Sequence, residues 1–161
     1  MAIINVEFGF FNKLTEEVAS VTGGVNVFDY SLPDELIRVG AGTSPSGSEV
    51  WAGTVALTAG AATVALTTLA RTGRTDLDLT GLRVLGYVIK NLGTATMTFK
   101  GGATNPYAIF VGTTGHTVRA GGMLMEFAPA GFGTVGAAAL NIDVTGTGTD
   151  SFMMGLVAGA V

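Results

Sequence analysis

The sequence contains no cysteine and a single histidine, His116. Without cysteine the chain can form neither a disulfide nor a thiolate metal site, and one histidine is too few for a usual zinc site. His116 could formally form a Ser-His-Asp triad with Ser151 and either Asp150 or Asp143. However, no nucleophile-elbow pattern surrounds that serine. We therefore expect His116 to be a surface or interface residue, and we expect the protein to need no catalytic group, metal or cofactor.

Charged residues are scarce as well. They make up 12% of the 161 residues, whereas about 25% is usual for globular proteins. One interpretation is a small β domain whose surface is covered by Thr, Ser and Gly. The other is a surface largely buried between subunits, and the scarcity of charge favours it, because a monomer with so few charges is poorly protected against association. The composition thus predicts a homo-oligomer.

Three further features that the sequence lacks limit the partners and the location that we expect for the protein. The chain has no basic stripe, so a nucleic-acid partner is not expected. Its longest apolar tract, MMGLVAGAV at residues 153–161, is too short to cross a bilayer, so no membrane partner is expected. The first residues, MAIINVEFGFF, lack the basic start and long apolar stretch of a signal peptide. We therefore expect synthesis in the cytoplasm and a soluble or assembled product.

The sequence does contain many short apolar runs separated by Gly, Asn, Pro and Thr. Over residues 94–100, Ala95, Met97 and Phe99 alternate with polar residues, which predicts a half-buried strand. Residues 82–89 are apolar on both faces, which predicts a strand that is central in its sheet or lies beneath another subunit. Further strands are expected over residues 25–30, 50–58, 62–69, 107–111, 123–128, 140–144 and 152–157.

This pattern predicts an all-β fold, and specifically a jelly-roll-like antiparallel β-sandwich over residues 50–161. Within it we expect the strands at 50–58 and 62–69 to form a hairpin. Trp51, at the start of the first of these strands, is expected in the core. Phe132 lies in a predicted loop, where it could pack on a sugar or fill a pocket on a neighbouring subunit.

The first 49 residues differ from the rest in charge. They hold seven acidic and two basic residues, a net of −5, whereas residues 50–161 hold five acidic and six basic residues, a net of +1. The apolar residues at helical spacing predict a short helix over residues 12–20. Residues 41–48, AGTSPSGS, have the composition of a linker. We therefore predict two domains, an N-terminal arm with a short helix over 1–49 and the sandwich over 50–161.

The apolar cluster of the arm is too small to build its own core and must be buried against another surface. That surface is either a neighbouring subunit, which makes the arm an anchor, or the arm's own sandwich. The residues predicted to lie in interfaces are Phe8, Phe10, Phe11, Leu14, Val18 and Phe132.

Asp76 and Asp78 flank Leu77, so in a strand both carboxylates would point to one side. Such a pair can bind calcium or act as acid and base. It can also protect a sheet edge, or form ion pairs with Arg71 and Arg74, which is the simpler interpretation. The glycine-rich segments TGTGT and GGAT lack the lysine and the following helix of a phosphate loop, and they are predicted to be turns.

Three segments between residues 81 and 158 suggest a family: TGLRVLGYVIKNLGTATMTFKGG, TVRAGGMLMEFAP and LNIDVTGTGTDSFMMGLVAG. Their succession of strand, glycine-rich turn, Gly-Gly before a strand and closing hairpin resembles the jelly-roll capsid decoration, or cement, proteins of tailed bacteriophages. The resemblance covers about half of the chain. It implies a non-enzymatic protein of the virion, made in the host cytoplasm, that binds the major capsid protein at the capsid surface and stabilises the lattice, commonly as a trimer. It carries over no catalytic residue.

Two other functions stay open at this point. The chain could be a receptor-binding or adhesion module of a phage fibre or tail, for which exposed loop aromatics around a pocket would be the sign. It could also be a glycan hydrolase that uses Asp76 and Asp78, for which a deep cleft with converging carboxylates would be the sign. A large apolar, threonine-lined flat face would favour the decoration protein.

Overall fold

The computed structural model describes residues 5–8, 13–19, 25–31, 37–40, 46–73, 75–110, 114–128 and 130–160, with side chains from Glu49 onwards. These ranges contain strands and turns but no helix, and hence no helix with the length and hydropathy to cross a membrane. The strands are β1 (Asn5–Phe8), β2 (Lys13–Ala19), β3 (Val25–Ser31), β4 (Ile37–Gly40), β5 (Ser46–Ala56), β6 (Ala61–Ala65), β7 (Arg83–Asn91), β8 (Met97–Gly101), β9 (His116–Val118), β10 (Met123–Phe127), β11 (Asn141–Thr145) and β12 (Ser151–Ala160).

The chain divides into two compact units, one formed by Val6–Arg38 and the other by Met1–Asn5 with Val39–Val161. The smaller unit contains an antiparallel hairpin in which β2 pairs with β3 along its whole length. The strand predicted over residues 25–30 is thereby confirmed as β3. The predicted division into domains at residue 49 stays a prediction.

The helix predicted over residues 12–20 is not confirmed, because Lys13–Ala19 form the strand β2. Leu14 and Val18 are four residues apart, a spacing that puts two residues on one side of a helix and equally on one side of a strand. A helix of this length is marginal by itself. Pairing with Val25–Ser31 gives the same backbone a hydrogen-bonded partner.

The larger unit is all-β, with two antiparallel sheets arranged as a sandwich-like fold. Among the described residues, the first sheet has six strands, in the order β1-β4-β5-β12-β7-β10, and the second has four, in the order β6-β11-β8-β9. Beside the start of β5, β4 adds the single parallel pair Gly40↔Ser46. Ser46–Ser48 are thus part of a strand and not of the predicted linker, whose residues 41–45 lie outside the described ranges.

The hairpin predicted between residues 50–58 and 62–69 is limited to one antiparallel bridge, between Thr58 and Ala61, although both segments contain strands. β5 pairs with β12, whereas β6 lies in the other sheet and pairs with β11. The turn between them has positive φ at Ala59 and Gly60 and carries the chain from one sheet to the other. Two strands with similar apolar patterns can therefore face each other across the core instead of pairing side by side.

The core lies between the two sheets and is rich in aromatic side chains. Phe99 of β8 meets Phe152 of β12 edge to face, with 5.1 Å between the ring centroids. Burial of each such side chain stabilises the fold by roughly 1.5–3 kcal/mol. β7 has β12 and β10 as its neighbours, which confirms the prediction that the doubly apolar segment 82–89 is a central strand.

The strand predicted over residues 107–111 is not formed by its described part, residues 107–110. The chain there follows a loop that is fixed to Asn141, whose carbonyl accepts a hydrogen bond from Tyr107 N at 2.9 Å. The Tyr107 hydroxyl donates to the carbonyl of Gly133 at 2.8 Å and accepts from Val84 N at 3.1 Å. The apolar side chains of this segment therefore fill the core from a loop, where alternation does not imply strand pairing.

Candidate interface

Strand pairing defines a continuous row of side chains across the outer side of the first sheet. Met123 pairs with Lys90, Lys90 with Met153, and Met153 with Thr54. The neighbouring row runs through Met125, Val88, Gly155 and Ala52. We call these two rows, together with Val50, the outer face; its side chains are Val50, Ala52, Thr54, Val88, Lys90, Met123, Met125 and Met153.

The outer face is apolar and accessible. Met123 is 65% exposed, and Met153 and Val50 are each 38% exposed. Lys90 is the one charged residue in the set. Exposed contiguous apolar surface is typical of a protein–protein contact, and methionine side chains adapt readily to the shape of a partner.

The exposed part of this face ends within the sheet. Val157 pairs with Val50 and with Gly86, and Gly86 pairs with Phe127, so these four residues form the next row. Val157 is only 2% exposed and Leu85 is fully buried, although neither belongs to the main core between the sheets. Towards this end of the strands the accessible apolar surface therefore stops at Val50. Leu92, which directly follows β7, is also exposed, at 47%.

A groove of about 750 Å³ opens at the side of the sandwich, between β5 and β6. Its wall on one side is Val50–Val55, and on the other Thr63–Ala65 with the loop Thr68–Thr72. The Trp51 indole donates to the carbonyl of Ala70 at 2.9 Å and closes the groove towards the core. Arg71 holds the end of the groove, because its guanidinium bonds Glu49 at 3.0 Å.

Phe132 is the one predicted interface residue whose side chain the structure describes. It is half-buried and packs on the core, with its ring 5.6 Å from that of Tyr87. Phe10 and Phe11 lie outside the described residues. Phe8 belongs to β1, and Leu14 and Val18 belong to β2, but their side chains are also outside the described set. The interface role of these residues stays a prediction.

The residues considered for chemistry take part in local packing and turns. His116 is half-buried on β9, and its ring lies 5.5 Å from that of Phe110. Asp150 accepts hydrogen bonds from the backbone of Thr94 at 3.0 Å and Ala95 at 3.2 Å, so it fixes a turn. No three or more His, Cys, Asp or Glu side chains lie close enough to hold a metal ion within the described ranges.

The two aspartates Asp76 and Asp78 are exposed, and the Leu77 between them is buried. Asp78 accepts hydrogen bonds from the hydroxyl of Thr80 at 2.6 Å and from its backbone N at 2.8 Å. These bonds favour the carboxylate and hold the pKa of Asp78 below its ordinary value. Arg71 pairs with Glu49 and not with either aspartate, and Arg74 lies outside the described residues.

Sequence reasoning missed the outer face. The signal was present in MLMEF and in SFMMGLVAG, where apolar residues occupy both alternating positions of a strand. We used that argument for residues 82–89 only. Applied to β10 and β12, it would have predicted an apolar outer surface on three adjacent strands.

No protein-family model matches the chain, and neither a curated protein nor a solved structure matches it significantly.

Proposed function

We propose that the protein is a non-enzymatic structural component of a virion, a capsid decoration protein that stabilises the lattice through contacts with the major capsid protein and with its own copies. The observation that carries this proposal is the outer face, which presents Met123, Met153 and Val50 to solvent beside a single lysine. A flat apolar face of strands, lined by alanine and threonine, suits a broad contact with another protein surface.

We also propose that the sandwich is a jelly roll. The support is the order of its eight strands from β5 to β12. The first strand, β5, lies beside the last, β12, and the second, β6, lies beside the last but one, β11. Both sheets then continue inwards, through β7 and β10 in one and β8 and β9 in the other. This nesting is what two Greek keys wrapped into one barrel-like sandwich produce.

The outer face is better suited to binding a capsid through many weak contacts than through one strong contact. Burial of an exposed methionine contributes roughly 1.5–3 kcal/mol before the cost of association is subtracted. A single copy would therefore bind weakly, whereas a self-associated protein binds a repeating lattice through several faces at once. The trimer implied by the family resemblance is one form of such an assembly.

A paired set of variants tests the role of the outer face. Met123→Lys with Met153→Lys places two more cations beside Lys90 and should abolish binding to capsids that lack the protein, because the charges would have to be desolvated. Thr117→Lys with Thr145→Lys adds the same charge at two exposed positions of the second sheet and should bind like the unmodified protein. Equal binding by both double variants would exclude the outer face as the docking surface.

The position of the protein on the virus particle tests whether it is a capsid decoration protein. Antibody raised against the purified protein, followed by immunogold electron microscopy of virus particles from the source of the gene, should label the capsid surface. Label confined to a tail or fibre would support the adhesion module instead. Particles without any label would refute both.

A further inference from the structure

β5 lies between β4 and β12 in its sheet, but along the groove, beyond its one pair with β4 at Ser46, its outer edge has no neighbouring strand among the described residues. Leu57 N donates to the carbonyl of Asp150 at 2.8 Å, so the backbone groups of odd-numbered β5 residues point towards β12. Val50, an even-numbered residue, faces the other way, and its carbonyl accepts from Arg71 Nη2 at 3.3 Å. The alternation therefore directs the backbone N–H and C=O groups of the even-numbered residues away from β12.

Three of these even-numbered residues, Ala52, Thr54 and Ala56, have no backbone partner among the described residues. β4 reaches β5 only at Ser46, near the start of the strand. Unpaired edges of this kind are usually protected by lysine, proline or a bulge. From Ala52 to Ala56 the edge has none of these, and its exposed side chains are small and neutral, so a second strand can approach it closely.

We propose that this edge binds the same edge of a second copy of the chain, with the two β5 strands antiparallel and centred on Thr54. Thr54 would then face Thr54 of the second copy, and Ala52 would face Ala56 of the second copy. The pairing would form about six backbone hydrogen bonds. It would also join the two first sheets into one, with their outer faces side by side.

The pattern of residues favours a second copy over an unrelated strand. In a contact with two-fold symmetry, each group near the symmetry axis faces the same group of the other copy. A charged group there would therefore be repelled by its counterpart. Residues 52–56 carry no charge, and the nearest ion pair, Glu49 with Arg71, lies beyond the open edge. Between the hydrogen-bonded pairs, Gly53 would face Val55 of the second copy, so the larger side chain meets the residue without one.

The inference rests on the proposed assembly function, for which it supplies a subunit contact. Because the chain has no cysteine, single cysteine variants report the contact without interference. Thr54→Cys should form a disulfide-linked dimer under mild oxidation, since its symmetry mate lies directly opposite. Thr145→Cys, exposed in the middle of the second sheet, is the control, and Thr54→Cys should crosslink at least about tenfold faster.

Register is tested by two further variants. Ala52→Cys alone should not crosslink, because its symmetry mate would lie about 13 Å away along the strands, beyond the reach of a disulfide. A mixture of Ala52→Cys and Ala56→Cys should crosslink efficiently. The unmodified protein should sediment as a dimer or a multiple of one.

The outcomes separate this inference from the proposed function. The full crosslinking pattern together with a dimer supports the strand pairing. An oligomer of any size in which Thr54→Cys crosslinks no faster than Thr145→Cys overturns the pairing and leaves the assembly function intact. A monomer at micromolar concentration overturns the pairing, and capsid binding by that monomer would still uphold the decoration role.

Discussion

The indole of Trp51 lies against the backbone of Gly53, two residues further along the inner side of β5. A Cβ atom at position 53 would come within 2.6 Å of Trp51 Cζ2. The ring has little freedom to move, because its Nε1 donates to the carbonyl of Ala70 at 2.9 Å and the residue is 6% exposed. Glycine at position 53 is therefore required by the position of the tryptophan that closes the groove.

Gly53→Ala should displace Trp51 and destabilise the fold by about 1–3 kcal/mol, the usual cost of overpacking. Trp51 is the only tryptophan, so its fluorescence emission should shift to longer wavelength as the ring becomes wetter. Gly136→Ala is the matched control, because a Cβ at that position meets no atom within 4 Å. An unchanged emission spectrum and urea midpoint in Gly53→Ala would contradict this account.

Asn91 is a fully buried amide with all of its polar atoms bonded. Its Nδ2 donates to the carbonyls of Ala95 at 2.7 Å and Val118 at 2.9 Å, and its Oδ1 accepts from Gly93 N at 2.8 Å. It thus connects β7 to the turn before β8 and to β9. Its side chain therefore links a strand of the first sheet to a strand of the second.

Asn91→Asp should destabilise the protein by at least about 2 kcal/mol, because it removes both donors and buries a carboxyl group against two carbonyls. Asn141→Asp is the control, since Asn141 Nδ2 donates only to the exposed carbonyl of Thr104. Urea denaturation of the two variants at neutral pH measures the difference. Similar midpoints would show that the buried amide is not a major source of stability.

Tyr87 makes the free energy of unfolding depend on pH in the alkaline range. Burial, and then the Glu126 carboxylate that accepts its hydrogen bond at 2.8 Å, raise the pKa of Tyr87 well above its ordinary value of 10.0. A raised pKa in the folded state gives stability that is complete below pH 10 and is lost as the pH rises above it. Tyr107, whose pKa burial also raises, adds to the same loss.

Tyr87→Phe should be less stable than the unmodified protein at pH 8, because Glu126 loses its donor. The gap between the two proteins should narrow at pH 10.5, where only the unmodified protein loses the contribution of Tyr87. Urea midpoints at both pH values give the comparison, and Tyr107 affects both proteins alike. A gap that stays constant or widens would show that Tyr87 ionises at least as easily in the folded state as in the unfolded one.

Local pattern was enough to predict most strands of the sandwich but not their partners. The period-two alternation of β8 and the doubly apolar β7 both follow from side-chain burial within one segment. The partner of β5 is β12, at the other end of the chain, and nothing within residues 46–56 indicates it. The closeness in sequence of residues 50–58 and 62–69 favoured a hairpin, whereas the two strands belong to opposite sheets.

The interface was less predictable than the fold. Phe132 was selected because it lies in a loop, but an aromatic side chain in a loop can turn inwards, and this one packs on Tyr87. The outer face and the open edge of β5 depend on which strands are neighbours, so they became visible only with the sheet order. The charge-poor composition indicated that an interface exists without indicating where it lies.

The smaller unit carries the whole net charge of the chain. Residues 6–38 hold six acidic and two basic residues, a net of −4, while residues 39–161 hold six of each. Its described sheet is the two-stranded hairpin of β2 and β3, an element that is marginally stable by itself in water. We expect this unit to anchor the protein on a partner, with its acidic groups steering it towards a basic surface.

Deletion of residues 1–38 distinguishes the anchor from a unit needed by the sandwich itself. If the unit is an anchor, the truncated protein should keep a β-type circular dichroism spectrum and a cooperative urea transition, but bind capsids at least about tenfold more weakly. Capsid binding by the unmodified protein should also weaken as salt is added, because the attraction between the acidic unit and a basic surface is screened. Binding that is unchanged by the deletion would refute the anchor, and a truncated protein that fails to fold would show that these residues belong to the core of their own chain.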